Sequence, residues 1–102
     1  GAGGDPARHG AERADAAWEL TLRCALICLG HPQVARTLGL PELDRYLLDT
    51  FAEAAARPAH LVRHAADLMA GLLRSEIAVA CWNRWKSMGL SERLLRWFGR
   101  YG

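Results

Sequence analysis

Apolar residues in this chain recur at the three- and four-residue intervals of an α-helix, and almost no segment alternates between apolar and polar residues. Residues with a branched β-carbon are scarce, whereas the good helix formers Ala, Leu, Arg and Glu dominate. Glycine and proline divide the apolar pattern into segments of helical length. These features predict an all-α fold.

The expected domain organisation follows from length and composition. A chain of 102 residues with 51% hydrophobic residues favours one packed domain over disorder. We predict a compact bundle of five to six helices in a single domain, residues 11–102, after a flexible lead, residues 1–10. The first four residues of that lead are compatible with a tag remnant or a loose tail.

The expected helices each carry an apolar stripe and a glycine, proline or serine near a boundary. They cover residues 11–29, 32–38, 41–56, 59–87 and 91–100. The stretch 59–87 is long for one helix in a domain of this size, so we expect a bend or break either at Gly71 or at residues 74–76.

Apolar periodicity also predicts which side chains face the core. From Leu20 to Leu29 the first helix is apolar nearly all round, which is typical of a helix central to the fold. In the last helix Leu94, Leu95 and Phe98 are expected to face inward. Leu73 is assigned to the inward face of the helix before the expected break.

The expected cellular environment follows from missing signals and from the cysteines. No apolar run approaches the roughly 18 residues that span a bilayer, and the N-terminal residues lack the pattern of a secretory signal. Cys24, Cys28 and Cys81 lie within apolar helical patterns, which favours reduced thiols that act as small hydrophobic residues. We therefore expect an intracellular protein without a transmembrane segment.

Charge and tryptophan are concentrated in the C-terminal half. Residues 1–56 have a net charge of −3, whereas residues 57–102 have a net charge of +5 and contain three of the four tryptophans. Trp82 and Trp85 share one helix face, while Arg84 and Lys86 point elsewhere. This pattern suits core anchors surrounded by solvated cations, a protein interface, a nucleic-acid surface or an anionic membrane surface.

We predict a non-enzymatic helical protein–protein interaction module: an adaptor, an assembly subunit or a self-associating domain with an aromatic and basic C-terminal surface. The candidate partner-binding residues are Trp82, Arg84, Trp85, Lys86, Arg93, Arg96, Trp97, Arg100 and Tyr101. The expected partner is another protein or a second copy of the chain. The alternative is binding of RNA or DNA by the same basic half, although a net charge of only +2 weakens it.

Sites for other chemistry are poorly supported. His60, His64 and Asp67 share a helix face with a spacing that could hold a divalent metal, but this polar face equally suits plain exposure to solvent. The chain has no glycine-rich phosphate loop, no HExxH helix, no paired CxxC motifs and no serine in a nucleophile elbow. We therefore predict no enzymatic activity, no metal site and no cofactor.

Overall fold

A computed structural model of the chain describes residues 6–31, 33 and 41–101, with side chains from Gly10 onward and without that of Tyr101. Helices account for almost all of these residues, and the described part contains no strand. The elements are α1 (Pro6–Cys28), α2 (Pro41–Ala52), a short 3-10 helix (Ala54–Ala56), α3 (Ala59–Leu73), α4 (Ala78–Ser87) and α5 (Leu90–Tyr101).

The predicted all-α fold is confirmed, and the described residues contain five α-helices. The predicted short helix at 32–38 lies outside the described residues except for residue 33. The predicted helix at 41–56 is present as α2, which ends at Ala52 and is followed by the short 3-10 helix.

The predicted start of the first helix at Ala11 was wrong. α1 begins at Pro6, so residues 6–10 of the expected flexible lead are helical. Proline is favoured in the first turn of a helix, where its missing N–H has no intrahelical partner to lose. Gly10 weakens a helix by only about 1 kcal/mol relative to alanine, and α1 continues through it.

The interruption predicted within residues 59–87 occurs at residues 74–77, between α3 and α4. The Ser75 hydroxyl donates a hydrogen bond to the carbonyl oxygen of Leu72 at 2.7 Å. The Ser75 Oγ atom in turn accepts a hydrogen bond from the backbone N–H of Ile77 at 3.3 Å. Ser75 therefore satisfies backbone groups that the broken helix would otherwise leave without partners.

α3 lies at the centre of the fold and packs against α1, α2 and α4, while α5 packs against α2 and α4. Glu19 of α1 lies 3.9 Å from the His60 imidazole near the start of α3. Leu29, just beyond α1, packs closely against Gly71 near the end of α3, where a Cβ atom would clash with the leucine side chain. These two contacts show that α1 and α3 run parallel.

The hydrophobic core receives side chains from all five helices. Its buried members are Leu22, Ala25, Leu43, Tyr46, Leu47, Leu48, Leu61, Ala65, Leu68, Leu72, Cys81, Trp85 and Leu90. The molecule measures 51 × 34 × 19 Å. Since a helix with its side chains is about 10–12 Å wide, the shortest dimension holds no more than two layers of helices. Each helix therefore keeps one side in contact with solvent.

Three predictions about inward-facing residues were wrong. Leu73 is 42% exposed, Leu95 is 73% exposed and Phe98 is 60% exposed. α5 packs on the core through Leu90 and Leu94, which leaves the flank of the helix with Leu95 and Phe98 in solvent. The apolar face of this helix is wider than the surface available to cover it.

The prediction that the first helix is central to the fold was also wrong. α1 lies at the edge, where its inner side contributes Leu22 and Ala25 to the core. Its outer side leaves Leu20 63% exposed and Ile27 71% exposed. An apolar run predicts a central helix only when the other helices are numerous enough to surround it, and the neighbours of α1 among the described residues do not cover this side.

None of the helices in the described ranges combines the length and the hydropathy that crossing a bilayer requires.

The hydroxyl groups of Tyr46 and Thr50 in α2 are buried without a hydrogen-bond partner among the described residues. The Tyr46 ring is held by a stacked contact with Trp18, at 4.0 Å between ring centroids, and by the Arg57 guanidinium 5.7 Å from its centroid. The Thr50 side chain is fully buried. A buried hydroxyl without a partner lowers stability, because it has lost its hydrogen bonds to water.

Replacing Thr50 with valine, which has the same shape without the hydroxyl, should stabilise the protein by about 1 kcal/mol. The expected result is a higher midpoint in urea unfolding followed by circular dichroism at 222 nm. Thr50→Ser is the control, because it keeps the hydroxyl, removes a methyl group and should lower the midpoint. A lower midpoint for Thr50→Val would show that the threonine hydroxyl does have a stabilising partner.

Candidate functional site

Trp85 belongs to the core of the protein, and its prediction as a partner-binding residue was wrong. Its side chain is fully buried, and the indole Nε1–H donates a hydrogen bond to Asp44 Oδ1 at 3.0 Å. Asp44 lies in the first turn of α2 and is 1% exposed. The buried carboxylate supplies the acceptor that a buried indole N–H requires, so the tryptophan needs no contact with solvent or a partner.

Arg84 is bound to the same carboxylate. Its Nε–H donates a hydrogen bond to Asp44 Oδ2 at 2.7 Å, and its Nη2 lies 3.6 Å from the Cys81 sulfur. The hydrogen bond to Asp44 is the main cause that raises the pKa of Arg84 above its ordinary value. Asp44 therefore joins α2 to two residues of α4, and the Arg84 cation is engaged within the fold.

Burial raises the pKa of the Cys81 thiol above its ordinary value. The positive charge of Arg84 acts in the opposite direction, and the negative charge of Asp44 adds to the increase. Because Cys81 is fully buried as well, its sulfur has the properties of a small core residue rather than those of a nucleophile.

Arg93 forms a second ion pair between the C-terminal half and α2. Its Nε–H and Nη2–H donate to Asp49 Oδ1 at 3.2 and 2.9 Å. Its Nη1–H donates to the carbonyl oxygen of Met88, at the turn between α4 and α5. Two predicted partner-binding cations, Arg84 and Arg93, therefore bind carboxylates of their own chain.

Trp97 is partly buried and attaches α5 to α2. Its ring stacks on Phe51 with a centroid distance of 5.5 Å and an interplanar angle of 9°. The Phe98 ring meets it edge-on at 5.4 Å and 87°. The side chain of Tyr101, another predicted partner-binding residue, lies outside the described residues.

The remaining predicted residues are exposed, and other large apolar side chains on the same two helices are exposed as well. On α4, Trp82 is 43% exposed and Val79, one turn before it, is 72% exposed. Lys86 on α4 and Arg96 and Arg100 on α5 are exposed cations. We call this set the C-terminal surface: Val79, Trp82, Lys86, Leu95, Arg96, Phe98 and Arg100.

The C-terminal surface consists of residues on α4 and residues on α5, and a tight turn connects these two helices. Only Met88 and Gly89 separate α4 from α5. Gly89 adopts a φ of +88°, which a residue with a side chain rarely adopts, so glycine suits this connection. Helix α4 then packs on α5, which fixes the positions of the exposed groups on both helices.

Sequence reasoning missed Val79, Leu95 and Phe98 as members of this surface. Leu95 and Phe98 were assigned to the core, since apolar periodicity marks a helix face without showing whether anything covers it. Val79 is three residues before Trp82, and this spacing was a signal that an apolar residue shares the tryptophan's face.

The candidate metal-binding residues do not converge. His60 and Asp67 are exposed, His64 is partly exposed, and the acidic group nearest to the His60 imidazole is Glu19 of α1. Within the part of the chain that the structure describes, no three His, Cys, Asp or Glu residues are grouped so that they could hold a metal ion.

Comparisons with protein-family models, with curated proteins and with solved structures found no match to this chain.

Asp44→Ala should destabilise the protein by about 2–4 kcal/mol, because it leaves the Trp85 indole buried without an acceptor and Arg84 without its carboxylate. Urea unfolding at pH 7 measures the change. Asp49→Ala, which breaks the more exposed pair with Arg93 on the same helix, is the matched control and should cost about 1 kcal/mol or less. Equal losses for the two variants would contradict the special role of Asp44.

The cysteines should differ in reactivity toward a thiol-specific disulfide reagent at pH 8. Cys24 is exposed and should react fastest, whereas Cys81 should react only as fast as the protein unfolds. The raised pKa of Cys81 favours the neutral thiol in the folded state. Its contribution to stability is therefore present at neutral pH and is lost as the pH rises through the folded-state pKa. Fast native-state modification of Cys81, located by peptide mass spectrometry, would contradict its burial.

Proposed function

We propose that this chain is a non-enzymatic helical protein–protein interaction module that uses the C-terminal surface as an adaptor, an assembly subunit or a self-associating domain. The observation that supports this proposal best is the exposure of Val79, Trp82, Leu95 and Phe98 on two adjoining helices. Leaving large apolar side chains in water forgoes roughly 1.5–3 kcal/mol for each one that a partner could bury. Clusters of such side chains are typical of interaction sites.

The charges on this surface indicate the chemistry of the partner. Lys86, Arg96 and Arg100 are exposed on the same two helices as the apolar side chains. Tryptophan and arginine are enriched among the residues that dominate protein interfaces, with polar and charged groups at the rim. The proposed partner surface is therefore an apolar patch bordered by acidic side chains.

Two contacts favour this function over nucleic-acid binding. Arg84 and Arg93 bind Asp44 and Asp49, so they are not free to neutralise phosphates. Trp85 is buried and has no exposed ring on which a base could stack. Nucleic-acid binding by the remaining cations is the second candidate and is distinguished by its dependence on salt.

A double variant, Trp82→Ala with Phe98→Ala, should weaken association at least tenfold while it leaves the melting temperature nearly unchanged. Light scattering after size-exclusion chromatography measures self-association, and quantitative mass spectrometry compares the proteins that the immobilised wild type and variant retain. Leu73→Ala is the matched control, since Leu73 is exposed to a similar degree on α3, outside the C-terminal surface.

Two outcomes would count against protein binding through this surface. The first is an identical mass and an identical set of retained proteins for the wild type and the double variant. The second is binding to single-stranded RNA that falls steeply between low and high salt, which would support the nucleic-acid candidate. Trp85→Ala, in contrast, should lower thermal stability more than it weakens association, because Trp85 is part of the core.

A further inference from the structure

The outer side of α1 carries an apolar stripe far from the groups of the C-terminal surface in the sequence. Ala17, Leu20, Cys24 and Ile27 recur at intervals of three and four residues, so they lie along one face of the helix. All four are exposed. We call them the α1 stripe. The opposite face of α1, with Leu22 and Ala25, packs into the core.

A groove adjoins the α1 stripe between α1 and the first turn of α2. It has a volume of about 620 Å³ and is lined mainly by apolar side chains. Ala17, Leu20 and Cys24 of the stripe form one of its walls, and Leu43 of α2 contributes from the other side. A helix placed on the stripe would therefore have space to sink its side chains below the surface of α1.

We propose that the α1 stripe binds a second copy of this chain, with the two α1 helices packed antiparallel around a two-fold axis. This inference goes beyond the proposed function, since it assigns a second surface and names what occupies it. It does not depend on the C-terminal surface. A two-fold contact uses the same patch on both copies, so the patch must complement itself in size and in charge.

The sizes of the side chains in the stripe are complementary. In an antiparallel pair whose axis lies level with residue 22, Leu20 faces Cys24 of the second copy, and Ile27 faces its Ala17. Each large side chain then meets a small one. This alternation lets the helices approach closely without overlap between bulky side chains.

The charges beside the stripe are complementary only in the antiparallel orientation. Glu19 and Arg23 lie one turn apart along the same edge of the stripe. Antiparallel pairing brings this edge against itself, so Glu19 of each copy lies near Arg23 of the other. Parallel pairing would instead place the edge with Glu19 and Arg23 against the uncharged edge of the second copy, which carries Thr21 and Cys28.

Arg23 is free to make such a pair, because it has no acidic partner among the described residues. Within the described part of the chain, the basic group that lies within 4 Å of the Glu19 carboxylate is the His60 imidazole, at 3.9 Å. The stripe from Ala17 to Ile27 is about 15 Å long at 1.5 Å per residue. We expect a small interface of this kind to give a dimer that dissociates in the micromolar range.

The test is sedimentation equilibrium of the purified full chain from about 1 to 500 μM, with charge-reversed variants. Glu19→Arg and Arg23→Glu should each weaken dimerisation about tenfold, because each places like charges together at two symmetric positions. The double variant Glu19→Arg with Arg23→Glu should restore it. Ile27→Glu should abolish it, and Leu73→Glu, on α3 and outside both proposed surfaces, should leave it unchanged.

The results can overturn the proposal in two ways. A monomer at every concentration in the wild type would overturn it, as would a double charge reversal that fails to restore association. Circular dichroism of each variant separates loss of folding from loss of the dimer. Changes of Trp82 and Phe98 test the C-terminal surface separately, so the failure of one proposal leaves the other open to its own test.

The antiparallel orientation of the two α1 helices can be tested separately by a distance measurement. A spin label attached to Gly10→Cys, in a background with Cys24→Ser and Cys28→Ser, reports the distance between the two copies. Gly10 has open space around its Cβ position. Antiparallel packing about residue 22 predicts a separation of roughly 35–40 Å, and parallel packing predicts about 10 Å. The short distance would overturn the antiparallel arrangement.

Discussion

A carboxylate buried between α2 and α4 organises this fold. Asp44 is 1% exposed, and a charged group in such a position is tolerated only when its oxygens are paired. One oxygen accepts the indole N–H of Trp85, and the other accepts the guanidinium N–H of Arg84. The hydrogen bonds to the two carboxylate oxygens of Asp44 together fix the rotation of α4 about its own axis. That rotation decides which of its side chains face solvent, and it leaves Trp82 and Val79 on the outside.

The second ion pair extends this constraint to α5. Arg93 binds Asp49, five residues beyond Asp44 on α2, and also binds the backbone at the α4–α5 turn. Trp97 stacks on Phe51 farther along α2. α2 therefore acts as the support on which the C-terminal half is aligned. The aromatic and basic residues of that half divide into two groups, one engaged with α2 and one left exposed.

The thinness of the molecule explains why two apolar surfaces remain exposed. The five helices of the described residues, in at most two layers, cannot surround any single helix. An apolar helix face that is wider than its contacts with other helices therefore stays partly in water. On α5 the uncovered residues are Leu95 and Phe98, and on α1 they are Leu20 and Ile27. The two surfaces lie on different helices and differ in charge. This difference suits a module that binds itself through one surface and another protein through the other.

The sequence by itself determined the helical class, the apolar stripes and a break at either Gly71 or residues 74–76, because these depend on local propensity and on spacing along one helix. It also showed that tryptophan and positive charge are concentrated near the C-terminus. Only the tertiary structure decided which of these residues were available. Trp85 became a core residue because Asp44, 41 positions earlier in the chain, supplies its hydrogen-bond acceptor. Exposure depends on contacts between residues distant in sequence, and periodicity within one helix carries no information about them.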